Sequence, residues 1–282
     1  MKKDEKEIMR LIDEAVSGSN KSLEVLLSEV QDMVFNLSLR MLGTVMDAED
    51  AAQEILIRIM THLSSFRKES SFSTWVYRVA VNYLKNYKKS MFFQHPLDFE
   101  FYGNDIRYAD TGSIDKLVDD VSRAAFAEEL KMSCTNVMLQ CLDAESRCIF
   151  ILGTMFKIDS RIAGEILDLT PENYRKKLSR IRKKVADFLS VHCGLTGTGI
   201  CSCGQRVDYA ISQKRLNPQM PEYSRLQVME REVMSEFKDE MEKLDALALT
   251  FEAMPEYKSP VTSQDVMRGL LQGASFKKIR EL

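Results

Sequence analysis

The chain has 282 residues, of which 45% are hydrophobic and 29% charged, and a formal net charge of −3. This is the mix of a folded globular protein, with length for two or three domains of about 100–200 residues each. It contains no apolar run of about 18 residues and so no membrane-spanning helix, and it is not basic throughout, as a chain that wraps nucleic acid would be.

The first ten residues are mostly charged and lack the apolar stretch of an export signal, so a cytoplasmic protein without membrane insertion is expected. Without export, the six cysteines point to reduced thiols or metal ligands rather than disulfides. Glycine and proline are sparse, and apolar residues recur mostly every three or four positions, which predicts an all-α fold.

The first block spans residues 1–90. Ile8, Leu11, Ile12 and Ala15 share one helix face, and Ser17 to Asn20 ends that helix. A second helix carries Leu23, Leu26, Leu27, Val30, Val34, Leu37 and Met41, and Gly43 stops it. Asp47 is expected to cap a third helix, with Asp50 three residues on. Ala48, Ala51, Ile55, Ile59 and Leu63 form its apolar stripe. Asp50, Glu54 and Arg58 form a ladder that, taken alone, is a solvated face of ion pairs. A polar loop then precedes a fourth helix, which starts at a Ser/Thr cluster. Its Trp75, Val76, Val79 and Tyr83 face one side. Arg78, Asn82, Lys85, Lys88 and Lys89 form a basic side suited to phosphates and base edges. Phe72 and Trp75 are expected in the core.

Residues 91–122 are acidic and aromatic without helical period, which predicts a tethered linker. The second block, 123–191, begins with Cys134, Cys141 and Cys148 at seven-residue spacing, as core thiols would be. Ile162, Ala163, Ile166 and Leu167 then make a short amphipathic helix, Asp168-Leu169 a tight turn, and Thr170-Pro171 a helix start. The helix that follows is densely basic. Short helix, turn and capped helix form a helix-turn-helix. In a major groove, Glu172, Asn173, Arg175 and Lys176 come nearest the base edges, and Arg180, Arg182 and Lys183 nearer the backbone.

In residues 192–282, a Gly-rich segment holds His192, Cys193, Cys201 and Cys203. Three readings stay open: a structural zinc site, a redox-sensing cysteine pair, or small buried thiols in a turn. Helical spacing from Leu226 to Ala248 predicts a further helix. Thr262 or Ser263 can cap a last one over Val266–Leu271.

The run from Asp47 to Glu54, followed by Phe66 to Asn82, resembles region two of the extracytoplasmic-function (ECF) sigma factors of bacterial RNA polymerase. The second block, with its segment Ile158 to Val185, resembles region four of that family, in the family's order. The resemblance implies two small helical domains joined by a linker; the helical C-terminal extension, which minimal members of the family lack, is read from its spacing. The resemblance also implies that Asp50, Gln53, Glu54 and Arg58 dock on core RNA polymerase. Arg67, Lys68, Glu69, Ser70 and Ser71 would take a flipped base of the −10 promoter element, with Arg78, Asn82 and Lys85 on DNA nearby. Glu172, Asn173, Arg175, Lys176, Ser179, Arg180, Arg182 and Lys183 would meet the −35 element, and the linker would thread the RNA exit path. No cofactor and no enzymatic activity are implied, and the extension would serve an anti-sigma factor or other regulator. Gly164 stands where the family usually has Ala, and Asp168 where its turn usually has Gly. The alternative is a helix-turn-helix regulator that acts without polymerase, which leaves the first block unexplained. An enzyme finds little support, with three histidines and no Gly-rich phosphate loop.

Overall fold

The computed structural model describes residues 4–108, 116–229, 251 and 254–272. Among these residues the regular structure is helical, apart from two isolated bridges that pair Cys193 with Cys201 and Val228 with Tyr257. The fold is all-α.

Helix α1 (Glu5–Val16) packs on α2 (Asn20–Leu42), which Ser19 caps and Gly43 closes in a left-handed conformation. Helix α3 (Val45–His62) begins earlier than expected. Thr44, extended at φ −123°, is the cap: its hydroxyl accepts from the Asp47 amide at 3.2 Å and donates to the Asp47 carboxylate at 2.9 Å. Asp47 is therefore the third residue of a reciprocal capping pair and not the cap. Helix α4 (Phe72–Lys85) starts at Ser71, whose hydroxyl accepts from the Thr74 amide.

The first part of the linker is helical, which its composition does not suggest. Residues 91–108 hold two short helices, α5 (Met91–Gln94) and α6 (Phe99–Tyr108). Phe99 and Tyr102, one turn apart, both lie on Phe188, with ring centroids at 5.0 and 5.9 Å. That packing gives the segment a reason to be helical that its charge pattern hides.

Helix α7 (Asp120–Leu139) leads to α8 (Ala144–Phe150), which continues as a π turn, Ile151–Met155. Then come α9 (Ser160–Leu167) and the long α10 (Pro171–His192). The C-terminal extension contributes α11 (Val207–Ser212) and α12 (Ser263–Gln272), the latter capped by the Thr262 hydroxyl. Most of the helix expected between Leu226 and Ala248 lies outside the described residues; Leu226 to Met229 form a turn and an extended strand-like segment.

One buried apolar cluster runs from Leu11 in α1 to Val266 in α12. The two expected blocks share it. Helix α4 packs on α9, and α2 packs on α7 and α8.

Candidate nucleic-acid interface

The helix-turn-helix forms as its residues dictate. Asp168 closes α9 at φ 56° and ψ 42°, a left-handed conformation that a short polar side chain tolerates. The Leu169 amide donates back to the Gly164 carbonyl at 2.9 Å. A Cβ on Gly164 would meet the Leu169 oxygen at 2.5 Å, so a side chain there would force the turn to shift. Thr170 caps α10 and Pro171 fills its first position, where no amide is missed.

Tyr174, Leu178, Ile181, Val185, Phe188 and Leu189 bury one side of α10. The buried Tyr174 hydroxyl donates to the Ile149 carbonyl at 3.1 Å. The other side leaves Glu172, Asn173, Arg175, Lys176, Ser179, Arg180 and Lys183 exposed. Glu172 pairs with Lys176 at 2.7 Å, and Arg175 donates to the Ser160 hydroxyl at 3.0 Å. Arg182 departs from the expected set. Its guanidinium donates to the Thr154 hydroxyl and the Gly153 carbonyl, both at 3.0 Å, and ties α10 to the π turn.

In the first block, Phe66, Phe72 and Trp75 form a ring cluster with centroids 5.5–5.9 Å apart. It backs the loop between α3 and α4. Arg67, Lys68 and Glu69 are exposed there, and Ser70 and Ser71 are half-buried. Lys68 holds a left-handed φ of 60° and pairs with Asp13 of α1 at 2.5 Å. On α3, Asp50, Gln53 and Arg58 are exposed, and Glu54 is half-buried. Arg58 binds Glu54 at 3.1 Å, and its guanidinium lies 4.9 Å from the Tyr83 ring.

Asn82 and Lys85 are exposed on α4, but Arg78 is engaged. Its Nε donates to the Glu165 carbonyl at 3.0 Å, and its Nη2 lies 3.3 Å from the Glu165 carboxylate. The basic face of α4 is thus turned, at Arg78, onto the first helix of the helix-turn-helix.

A polar junction between the blocks is not visible in the sequence pattern. Arg40 of α2 is 1% exposed and donates to Asn136 of α7 at 2.9 Å and to the Pro255 carbonyl at 2.5 Å. Its guanidinium also lies 5.9 Å from the Tyr257 ring. Asn36 donates to the Tyr257 carbonyl at 2.6 Å and accepts from its amide at 2.8 Å. The one signal in the sequence is local: Asn36, Ser38 and Arg40 interrupt an otherwise apolar stretch of α2.

A four-ligand zinc site of His192, Cys193, Cys201 and Cys203 is one of the three readings open for the cysteine segment. Among the described residues, no three His, Cys, Asp or Glu side chains are placed to hold a metal ion. His192 is buried against Phe188, 4.6 Å between rings, where burial and then the charge of Arg107 lower its pKa. The cysteines instead join Cys134 around a small apolar pocket with Tyr102, Met138, Phe188 and Phe251. Burial raises the Cys134 thiol to about 12 and the Cys201 thiol to about 11, unlike reactive thiols. The backbone is tightly folded here. The Gly194 amide donates to the Cys201 carbonyl at 3.0 Å, and a Cβ on Gly199 would meet the Cys193 nitrogen at 2.3 Å.

The chain is similar to known proteins. Residues 26–90 match the family model for sigma-70 region 2. The ECF RNA polymerase sigma-E factor of Haemophilus influenzae is 29% identical over 175 residues, 62% of this chain and 91% of that protein. The ECF RNA polymerase sigma factor SigW of Bacillus subtilis is 27% identical over 187 residues, 64% of this chain and 98% of that protein. The RNA polymerase sigma-H factor of Pseudomonas aeruginosa is 22% identical over 176 residues, covering 62% and 90%.

Proposed function

We propose that the chain works as an extracytoplasmic-function sigma factor in promoter recognition at transcription initiation, as its likeness to such factors supports, and that its surfaces divide that work. The exposed face of α3, with Asp50, Gln53, Glu54 and Arg58, docks on core RNA polymerase in the cytoplasm. The loop Arg67–Ser71 takes an unpaired base of the −10 element, and Arg78, Asn82 and Lys85 hold the DNA beside it. The exposed face of α10 reads the −35 element through Glu172, Asn173, Arg175 and Lys176, with Ser179, Arg180 and Lys183 on the backbone. Arg182 serves the fold in this scheme.

The observation that carries the reading is the coincidence of two surfaces in one chain. The region 2 match falls on α2 to α4, and a basic helix with helix-turn-helix geometry follows downstream. Unstacking a base costs roughly a few kcal/mol. A half-buried Trp75 behind the loop offers a stacking surface, and each phosphate contact adds affinity. Trapping an opened strand needs no chemistry on the base, and we assign the chain none.

The test is a pull-down with core polymerase followed by run-off transcription on genomic fragments. Core binding with protein-dependent transcripts is expected. Tight binding to duplex DNA without core binding would replace the scheme with that of a free-standing regulator.

A further inference from the structure

The C-terminal extension joins the two DNA-reading blocks at their seam. Beyond the bonds of Arg40 and Asn36 described above, Asn136 of α7 donates to the Tyr223 hydroxyl at 3.0 Å, which donates to the Gly43 carbonyl at 3.2 Å. The Glu129 carboxylate of α7 accepts the amides of Glu222, Tyr223 and Ser224 at 2.6, 2.8 and 2.9 Å, and the Ser224 hydroxyl at 2.7 Å. Further on, the Ser259 amide donates to Asp32 at 2.7 Å and the Ser263 amide to Gln31 at 2.9 Å. One stretch of the extension thus grips α7 and another grips α2.

The closed arrangement is incompatible with reading both promoter elements. Elements centred near −10 and −35 lie about 25 base pairs apart, or roughly 85 Å at about 3.4 Å per base pair. Duplex DNA with a persistence length of about 150 base pairs does not fold back over that span. Here α4 and α9 touch, with Arg78 bonded to Glu165 at 3.0 Å. The blocks must separate, and the extension's bonds oppose it. Much of the seam is polar, so Arg40, Asn36, Asn136 and Glu129 regain water when it opens.

We propose that residues 216–229 and 254–267 are a built-in inhibitor, which clasps α2 to α7, holds Arg78 of α4 against α9, and must be released before promoter binding. This rests on the assignment of α4 and α10 to the two promoter elements. The extension acts as a tethered partner, and its hold on α2 beside α3 places release next to the polymerase-docking face.

The experiment compares the full chain with two full-length variants, Glu129→Gln and the pair Tyr223→Ala with Tyr257→Ala. Neither alters a proposed DNA or polymerase contact, and the first removes the charge and replaces one of the two acceptor oxygens with a donor, with almost no change in shape. Hydrogen exchange by mass spectrometry reads 216–229 and α4, and run-off transcription with limiting protein reads activity. Faster exchange in both segments with several-fold more transcript is expected. Released extension segments with transcript at or below the parent level would overturn the proposal, as would unchanged exchange of 216–229 in both variants. No core-dependent transcript from any form would sink the initiation scheme instead. The exchange data would still judge the clasp: faster α4 exchange on release supports it, and unchanged α4 exchange overturns it.

Discussion

Gly164 and Asp168 set the helix-turn-helix geometry together. The turn brings the Leu169 oxygen where a Gly164 Cβ would go, and Asp168 adopts the left-handed conformation that closes it. Gly164→Ala is expected to destabilise the full chain by about 1–3 kcal/mol in urea unfolding, through overpacking against backbone. Asp168→Gly should change stability by less than about 1 kcal/mol, because the conformation suits glycine. A harmless Gly164→Ala would show that the turn relaxes freely. The thiols make a second residue-scale case. Burial raises Cys141 and Cys148 to about 12 and Cys201 to about 11. At pH 8 such thiols are ionised to roughly a thousandth or less, so iodoacetamide should label them slowly in the native protein and quickly in urea. Fast native labelling, read by peptide mass spectrometry, would revive the redox-sensor reading.

Helix α10 carries its exposed basic residues, the proposed DNA contacts, on a surface separate from its packing surface. Arg180→Ala with Lys183→Ala should leave stability nearly unchanged, because both are exposed. It should lower the salt slope of promoter binding by about 2, since each phosphate no longer neutralised removes about 0.9. An unchanged slope would remove α10 from the DNA backbone. Helix α6 is held differently. Asp105 accepts from Arg206 at 3.0 Å, Tyr209 at 3.0 Å and Arg215 at 2.7 Å, tying α6 to α11 and the residues beside it. Burial works to raise its pKa, but the hydrogen bond and charge of Arg215, with Tyr209 and Arg206, outweigh it and lower it. The lowered value means that Asp105 stabilises the fold fully above about pH 4 and loses that contribution as pH falls through the folded value. Asp105→Asn should therefore loosen α11 at neutral pH and flatten the acid dependence of its hydrogen exchange. Identical acid profiles for the two proteins would assign the acid sensitivity elsewhere.

Across the whole molecule, the first block, the helix-turn-helix block and the described extension share one buried cluster. Scanning calorimetry of the full chain is expected to show a single cooperative transition, with calorimetric and van't Hoff enthalpies in agreement. Two resolved transitions would mean that the seam melts independently. The relatives match 62–64% of this chain, which leaves room for a segment of its own. The extension, by bonding to both α2 and α7, couples the two blocks proposed to read DNA.

The residues alone determined the all-α class, the apolar faces of α1 to α4, the Thr170-Pro171 start of α10 and the turn at Asp168. Each follows from local chemistry: apolar spacing, a hydroxyl cap, or a side chain that tolerates positive φ. The exposed faces of α3 and α10 were legible for the same reason, since a charged stripe opposite an apolar one has only one side for solvent. Local chemistry failed where partners are distant in the chain. Arg182 and Arg180 look equivalent on paper, yet one is bonded to the π turn and the other is exposed on the surface. Arg78 is a proposed DNA contact, yet in this arrangement it is held by Glu165, 87 positions away. His192 adjoins Cys193 in sequence but packs on Phe188, while Cys134 joins the cysteines instead. The charge of Arg40 is stabilised in the interior by acceptors from Asn136 and Pro255, 96 and 215 positions away. Hydrogen-bond satisfaction in a buried seam depends on which segments meet, and only the tertiary structure decides that.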